Sequence, residues 1–179
     1  MQPPPGGNFA AMTDQGGPGS HVLYQNFVVP VGVTSATFSF QAFIKNQAGV
    51  FFSPASLDTL GGFANQQARV DIITTTANVF SVAGGDVLQN LFQTHPGDPA
   101  TSGYLLNSTN VTALLAANGG NTLRLRFAEA DNQSNFDFGV DNVSIDATAG
   151  VATPEPATLV SAGLAALIGL FVARRRRAA

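Results

Sequence analysis

The 179 residues contain no cysteine and no tryptophan, and only 11% are charged, about half the usual share for a soluble domain. The missing cysteines exclude a disulfide framework, thiolate catalysis and Cys-ligated zinc. The missing tryptophans, with only Tyr24 and Tyr104 as phenols, leave no obvious aromatic platform for stacking on a sugar ring. Histidine is nearly absent too. His21 and His95 both flank Gly/Pro-rich sequence, have no HExxH-type partner and read as exposed loop residues. There is no G-x-S-x-G, no P-loop and no G-x-G-x-x-G after a strand. Basic residues are few before Pro154: Lys45, Arg69, Arg124 and Arg126 stand against ten acidic residues. Such a surface repels phosphate backbones, so nucleic-acid binding is not expected.

What is abundant is Gly, Ser, Thr, Asn and Phe, which fits a β-rich extracellular domain. Several stretches alternate at period two, the sign of half-buried strands. In Ala36 to Ile44 (ATFSFQAFI), Ala36, Phe38, Phe40, Ala42 and Ile44 share one face. In Thr122 to Glu129 (TLRLRFAE), Leu123, Leu125 and Phe127 face one way, while Arg124 and Arg126 face the other. VLYQNFVV (22–29), ARVDII (68–73) and FDFGVDNVSI (136–145) are further strands. In the last, the apolar parity switches from even to odd, which predicts a bulge or kink near Gly139. DVLQNLF (86–92) reads as a short helix, with a strand as the alternative. VTALLAA (111–117) reads as a helix with Asn110 as its N-cap and Asn118-Gly119-Gly120 as its stop. THPGDPATSG (94–103) and residues 1–20 read as loop. Many short strands with Gly/Pro/Asn turns predict an all-β antiparallel sandwich over 21–147, with 148–153 as a linker.

The tail is of another kind. From Ala157 to Ala173 no residue is charged; as a helix those 17 residues span about 25 Å, the lower limit for crossing a bilayer. Arg174, Arg175, Arg176 and Arg177 follow, two residues from the end. A basic cluster beside an apolar helix is retained on the cytoplasmic side, so the expected orientation is N-terminus out. The plainer alternatives are a simple membrane anchor or a buried core helix. Pro154, Glu155 and Pro156 directly precede the run, and prolines there stop a helix from extending upstream. The order Pro-Glu-Pro, apolar helix, Arg cluster, chain end resembles the PEP-CTERM sorting signal. The resemblance covers 154–179 and implies export in a Gram-negative bacterium. It also implies processing near the tripeptide by an exosortase-type membrane protease, a transient stay in the inner membrane, and release to the cell surface. The sequence opens MQPPPGGNFA, with neither a basic n-region nor an apolar h-region, so a longer natural front end is expected.

The sandwich carries a resemblance of its own. The ending NFDFGVDNVSI, preceded by a QARVDI strand and a LRLRF strand, resembles galactose-binding-like jelly rolls over about 20–147. Members open with an Asn-Gly-x-Phe-Glu-type strand that has no counterpart before Gly19, so a first strand is expected to be missing. Asp131, Gln133, Asn135 and Asp137 lie at alternate positions, an oxygen-rich spacing suited to Ca²⁺. An EF-hand is excluded, because Phe136 stands where that loop needs Gly and Asn142 where it needs Glu. The resemblance implies a structural Ca²⁺ with Asp141 as ligand beside Asp131 and Asp137; the alternative is a polar turn with a solvated face. Glu129 and Asp131 are the one carboxylate pair a glycoside hydrolase could use. Phe51 and Phe52 are either a loop platform or a loop with one ring turned inward. Arg124 and Arg126 either contact sugar hydroxyls or form a surface pair with Asp71.

Three functions follow from these readings. The first is a non-enzymatic extracellular module that binds exopolysaccharide or another matrix component. The second is a structural surface protein making protein contacts. The third is a glycan-active enzyme.

Overall fold

The computed structural model describes residues 3–13 and 17–150. The apolar run 157–173, the Pro154-Glu155-Pro156 tripeptide and the arginine cluster lie outside the described residues. Among the described residues no helix is long and apolar enough to cross a membrane.

Among the described residues eight strands and one short helix build an antiparallel β-sandwich. One sheet has the order β1 (Ala11–Met12), β8 (Phe136–Ala149), β3 (Val33–Asn46), β6 (Thr101–Asn110). The other has β2 (Gly19–Val28), β7 (Thr122–Asp131), β4 (Gln66–Thr74), β5 (Val87–Gln93). The alternation read in the sequence decides which residues enter the core. Ala36, Phe38, Phe40, Ala42 and Ile44 of β3 meet Leu123, Leu125 and Phe127 of β7 and Ala68, Val70 and Ile72 of β4. Phe40 lies edge-on to both Phe92 and Phe127, at 5.7 Å in each case, a geometry favoured by the ring quadrupoles. Strand structure reaches past 21–147 at both ends: β2 begins at Gly19 and β8 runs to Ala149.

The helix α1 (Thr112–Ala117) forms as expected and buries Leu115. Its N-cap is Val111 and not Asn110, yet the Asn110 side-chain Oδ1 accepts the Thr112 N–H at 2.9 Å. The segment 86–92 takes the strand alternative: β5 pairs along β4, and Leu91 and Phe92 pack on the core. The expected loop 94–103 ends early, because Thr101 already pairs with Lys45. The strand β6 it opens was not foreseen. As an edge strand it leaves Leu105 and Leu106 exposed, so no period-two burial marks it.

The parity switch in β8 is real, but its bulge lies at Asn142 rather than Gly139. The β3–β8 register slips between Ser39 and Gln41, opposite Ser144 and Asp141, and Asn142 takes a φ of 49°. Gly139 serves close approach instead. A Cβ there would sit 3.0 Å from Met12 Cε, Phe43 Cβ and the Tyr104 hydroxyl.

Loops cover the outer face of the β2-β7-β4-β5 sheet. Leu57 packs on Ala128 and Ala130, and Gln67 donates to the carbonyls of Pro54 and Ser56. Arg126 donates to the carbonyls of Val79 and Ser81. This covering turns the expected surface pair of Arg126 and Asp71 into a buried one, both side chains being 0% exposed. Arg69 closes the cluster, donating from Nε and Nη2 to Asp71 at 2.8 and 2.7 Å. Burial alone would raise the Asp71 pKa. The hydrogen bonds from Arg69 and Asn90 and the charge of Arg126 outweigh it and hold the carboxyl below its ordinary value.

Candidate functional site

The sandwich is open along one edge. There the two-residue strand β1 ends one sheet and β2 ends the other. Between them lies a cleft of about 480 Å³ lined by Met12, Thr13, His21, Leu23, Phe127, Glu129, Phe138 and Val140, among others. The walls follow from strand parity. On β7, Leu123, Leu125 and Phe127 point into the sandwich, so Glu129 does as well. His21 sits directly opposite Glu129 in the β2–β7 register and shares its face.

Neither side chain is satisfied. Glu129 is 1% exposed, and its Oε1, like His21 Nε2, is buried with no hydrogen-bond partner. Buried polar atoms are nearly always paired, so two orphans facing one cleft are exceptional. Burial, together with the charges of Asp131 and Asp137, raises the Glu129 pKa from 4.5 to about 9. At neutral pH this glutamate therefore holds its proton. Thr13 contributes little polarity to the cleft: its hydroxyl donates to the Phe136 carbonyl at 3.2 Å and accepts from the Phe138 N–H. Among the described residues no Lys or Arg lines the cleft. The contrast with the neighbouring end of the core is sharp. There Gln66 donates to Asn46 at 2.9 Å and to the Ser134 carbonyl, and accepts the Gln133 N–H, so those buried amides are satisfied among themselves.

The expected calcium ligands are not brought together. Asp131 ends β7 facing inward and accepts the Gly19 N–H at 3.0 Å; burial raises its pKa against that bond and the charge of His21. Asp137 sits on the other sheet, 3.3 Å from Lys45. Asp141 accepts the Gly6 N–H at 2.9 Å and the Asn142 N–H. Among the described residues no three His, Asp or Glu side chains are placed to hold a metal ion. Phe51 and Phe52 divide as the inward alternative has it: Phe51 packs on Phe136 at 5.6 Å and Phe52 is 37% exposed. Arg124 stays outside, stacked over Tyr24 at 4.5 Å and donating to Asn26. His95 lies in a loop, as expected, its N–H bonded to Asp98. His21, expected in a loop, is a strand residue.

The tail is decided by comparison with known families. Residues 152–177 match the PEP-CTERM protein-sorting motif. The match takes in Pro154, Glu155, Pro156 and all four arginines from Arg174 to Arg177. No curated protein matches the chain. The PEP-CTERM motif is the recognition signal of exosortase, a membrane protease, and implies membrane processing and export to the cell surface. The chain thus carries a C-terminal sorting motif and a sandwich with an unsatisfied cleft.

Proposed function

We propose that this chain is a non-enzymatic bacterial surface or matrix protein that exosortase delivers and whose β-sandwich, a jelly roll of the galactose-binding-like kind, binds polysaccharide. The PEP-CTERM match carries the delivery half. It places Pro-Glu-Pro, an uncharged run and an arginine cluster in the order that such processing needs. Prolines as a residue type disfavour helix, and a protease cleaves extended substrate, so the tripeptide suits a processing signal. The apolar run is short for a lasting anchor, and the arginines hold its end on the cytoplasmic side. The cleft supports the binding half, because apolar walls with a few convergent polar atoms are the usual make-up of a small-ligand site.

Delivery is tested by following the tagged full chain in its host. The wild type is expected at the cell surface or in the medium. Replacing Pro154, Glu155 and Pro156 together by Ala is expected to leave most of the protein unprocessed in the membrane fraction, as is loss of the exosortase. Normal release of the triple variant would overturn the reading of the tail as a processed signal.

A further inference from the structure

We infer that the inter-sheet cleft recognises an ammonium-bearing sugar, a residue of a polysaccharide rich in free amino sugars, through Glu129 and His21. This inference rests on the reading of the sandwich as a polysaccharide-binding module and names the class of polysaccharide.

The argument starts from the two orphaned atoms. Glu129 Oε1 and His21 Nε2 are buried, unpartnered and on directly opposed residues of β7 and β2. Buried hydrogen bonds left unmade are costly, so a ligand that completes both gains what the empty fold lacks. Both atoms can accept: a carboxyl keeps an acceptor oxygen in either protonation state, and an imidazole accepts at Nε2 when its proton is on Nδ1. An ammonium group brings three donors and no acceptor, which suits the pair.

The sign of the surrounding charge points the same way. His21 on β2 faces Glu129, and the charges of Asp131 on its own strand and of Asp137 on β8, the latter paired with Lys45, act on it. Among the described residues no Lys or Arg lines the cleft, and the chain before Pro154 has ten acidic residues against four basic ones. Uronate or sulfate groups would enter against that field, whereas a cation enters with it. The walls argue for a sugar over a flexible amine. Phe127 and Phe138 give the cleft two aromatic residues, with Val140 and Leu23 beside them. Such surfaces suit the C–H face of a pyranose, and an ammonium gains further from nearby π faces. Because the cleft lies along the open edge between β1 and β2, a polymer can pass through it without being cut.

The test is calorimetric titration of the full chain in detergent with four probes: a glucosamine oligomer, its fully N-acetylated counterpart, a uronate oligomer and trilysine. The glucosamine oligomer is expected to bind, and the N-acetylated and uronate oligomers to bind at least tenfold more weakly. Glu129→Gln keeps an acceptor oxygen but cannot release a proton to solvent and become a carboxylate beside the ammonium, so it is expected to weaken the glucosamine complex about tenfold or more. Leu23→Lys provides a second variant at a half-exposed position on the mouth of the cleft. It sets a positive charge in the path of the ammonium and is expected to weaken binding without touching the core. Equal binding of the acetylated and free oligomers, unchanged in both variants, would overturn ammonium recognition and leave polysaccharide binding standing. Binding of trilysine alone would replace the sugar by a basic peptide. If none of the oligosaccharides bound, both the inference and the polysaccharide reading would fall.

Discussion

Asp71→Ala is expected to lower the stability of the sandwich by about 3–5 kcal/mol, the range for removing one partner of a buried ion pair. For a domain of this size that is a fall in Tm on the order of 10 °C, measurable by calorimetry or circular dichroism. The reason lies in the division of charge. Arg126 is 0% and Arg69 8% exposed, and Asp71 is the carboxylate to which both are paired. Without it, two guanidinium groups remain under the loops on the outer face of β4 and β7. Arg126→Met is expected to cost less, because Asp71 then keeps the two bonds from Arg69 and the one from Asn90 at 2.8 Å. The order of the two variants distinguishes a shared anion from a set of independent pairs. Acid supplies a second check. The folded Asp71 pKa lies below its ordinary 3.8, so its contribution is complete above that value and is lost as pH falls through the folded pKa. The gap between wild type and Asp71→Ala should accordingly close in acid.

Much of this architecture could be read from the sequence, and the reason is parity. The strands of 36–44 and 122–129 alternate so cleanly that their inner residues could be named, and those residues form the core. The same parity reaches the cleft. Extending Leu123, Leu125 and Phe127 by one step puts Glu129 inside, and extending Leu23 back by one puts His21 inside. Glu129 was visible only as half of a carboxylate pair. His21 was hidden because Gly/Pro-rich residues precede it, which a loop reading favours, whereas β2 begins at Gly19 and holds the imidazole opposite Glu129. Burial of Arg126 was out of reach for a different reason. It depends on the carbonyls of Val79 and Ser81 reaching across from a separate loop, and no local pattern encodes that covering. The bulge was foreseen to within three residues because an odd–even switch must be absorbed somewhere. It falls at Asn142, since Gly139 is pinned among Met12, Phe43 and Tyr104 and asparagine tolerates the left-handed backbone better than most residues. The tail was the most legible part, being an ordered combination that needs no tertiary structure to be recognised.

Glu129→Gln is expected to raise stability at neutral and alkaline pH, by about 3–5 kcal/mol near pH 7–8. An unfolded chain releases the glutamate proton above 4.5, whereas the folded protein keeps it until about 9. Between those values the unfolded state binds fewer protons, so wild-type stability declines as pH rises. Glutamine has the shape of the protonated acid and no proton to lose, so the variant escapes the decline. The two melting curves should coincide near pH 4.5 and separate progressively toward pH 9. Parallel curves across that range would show that Glu129 titrates normally and that the cleft does not hold it neutral. The prediction gains force beside the expected loss of glucosamine binding. A side chain with only a packing role should not make the fold more stable and the protein a poorer binder when it can no longer ionise. That opposition is the mark of a group kept for a ligand at a cost to stability. It makes one conservative substitution, read by melting and by titration, the sharpest test of the cleft.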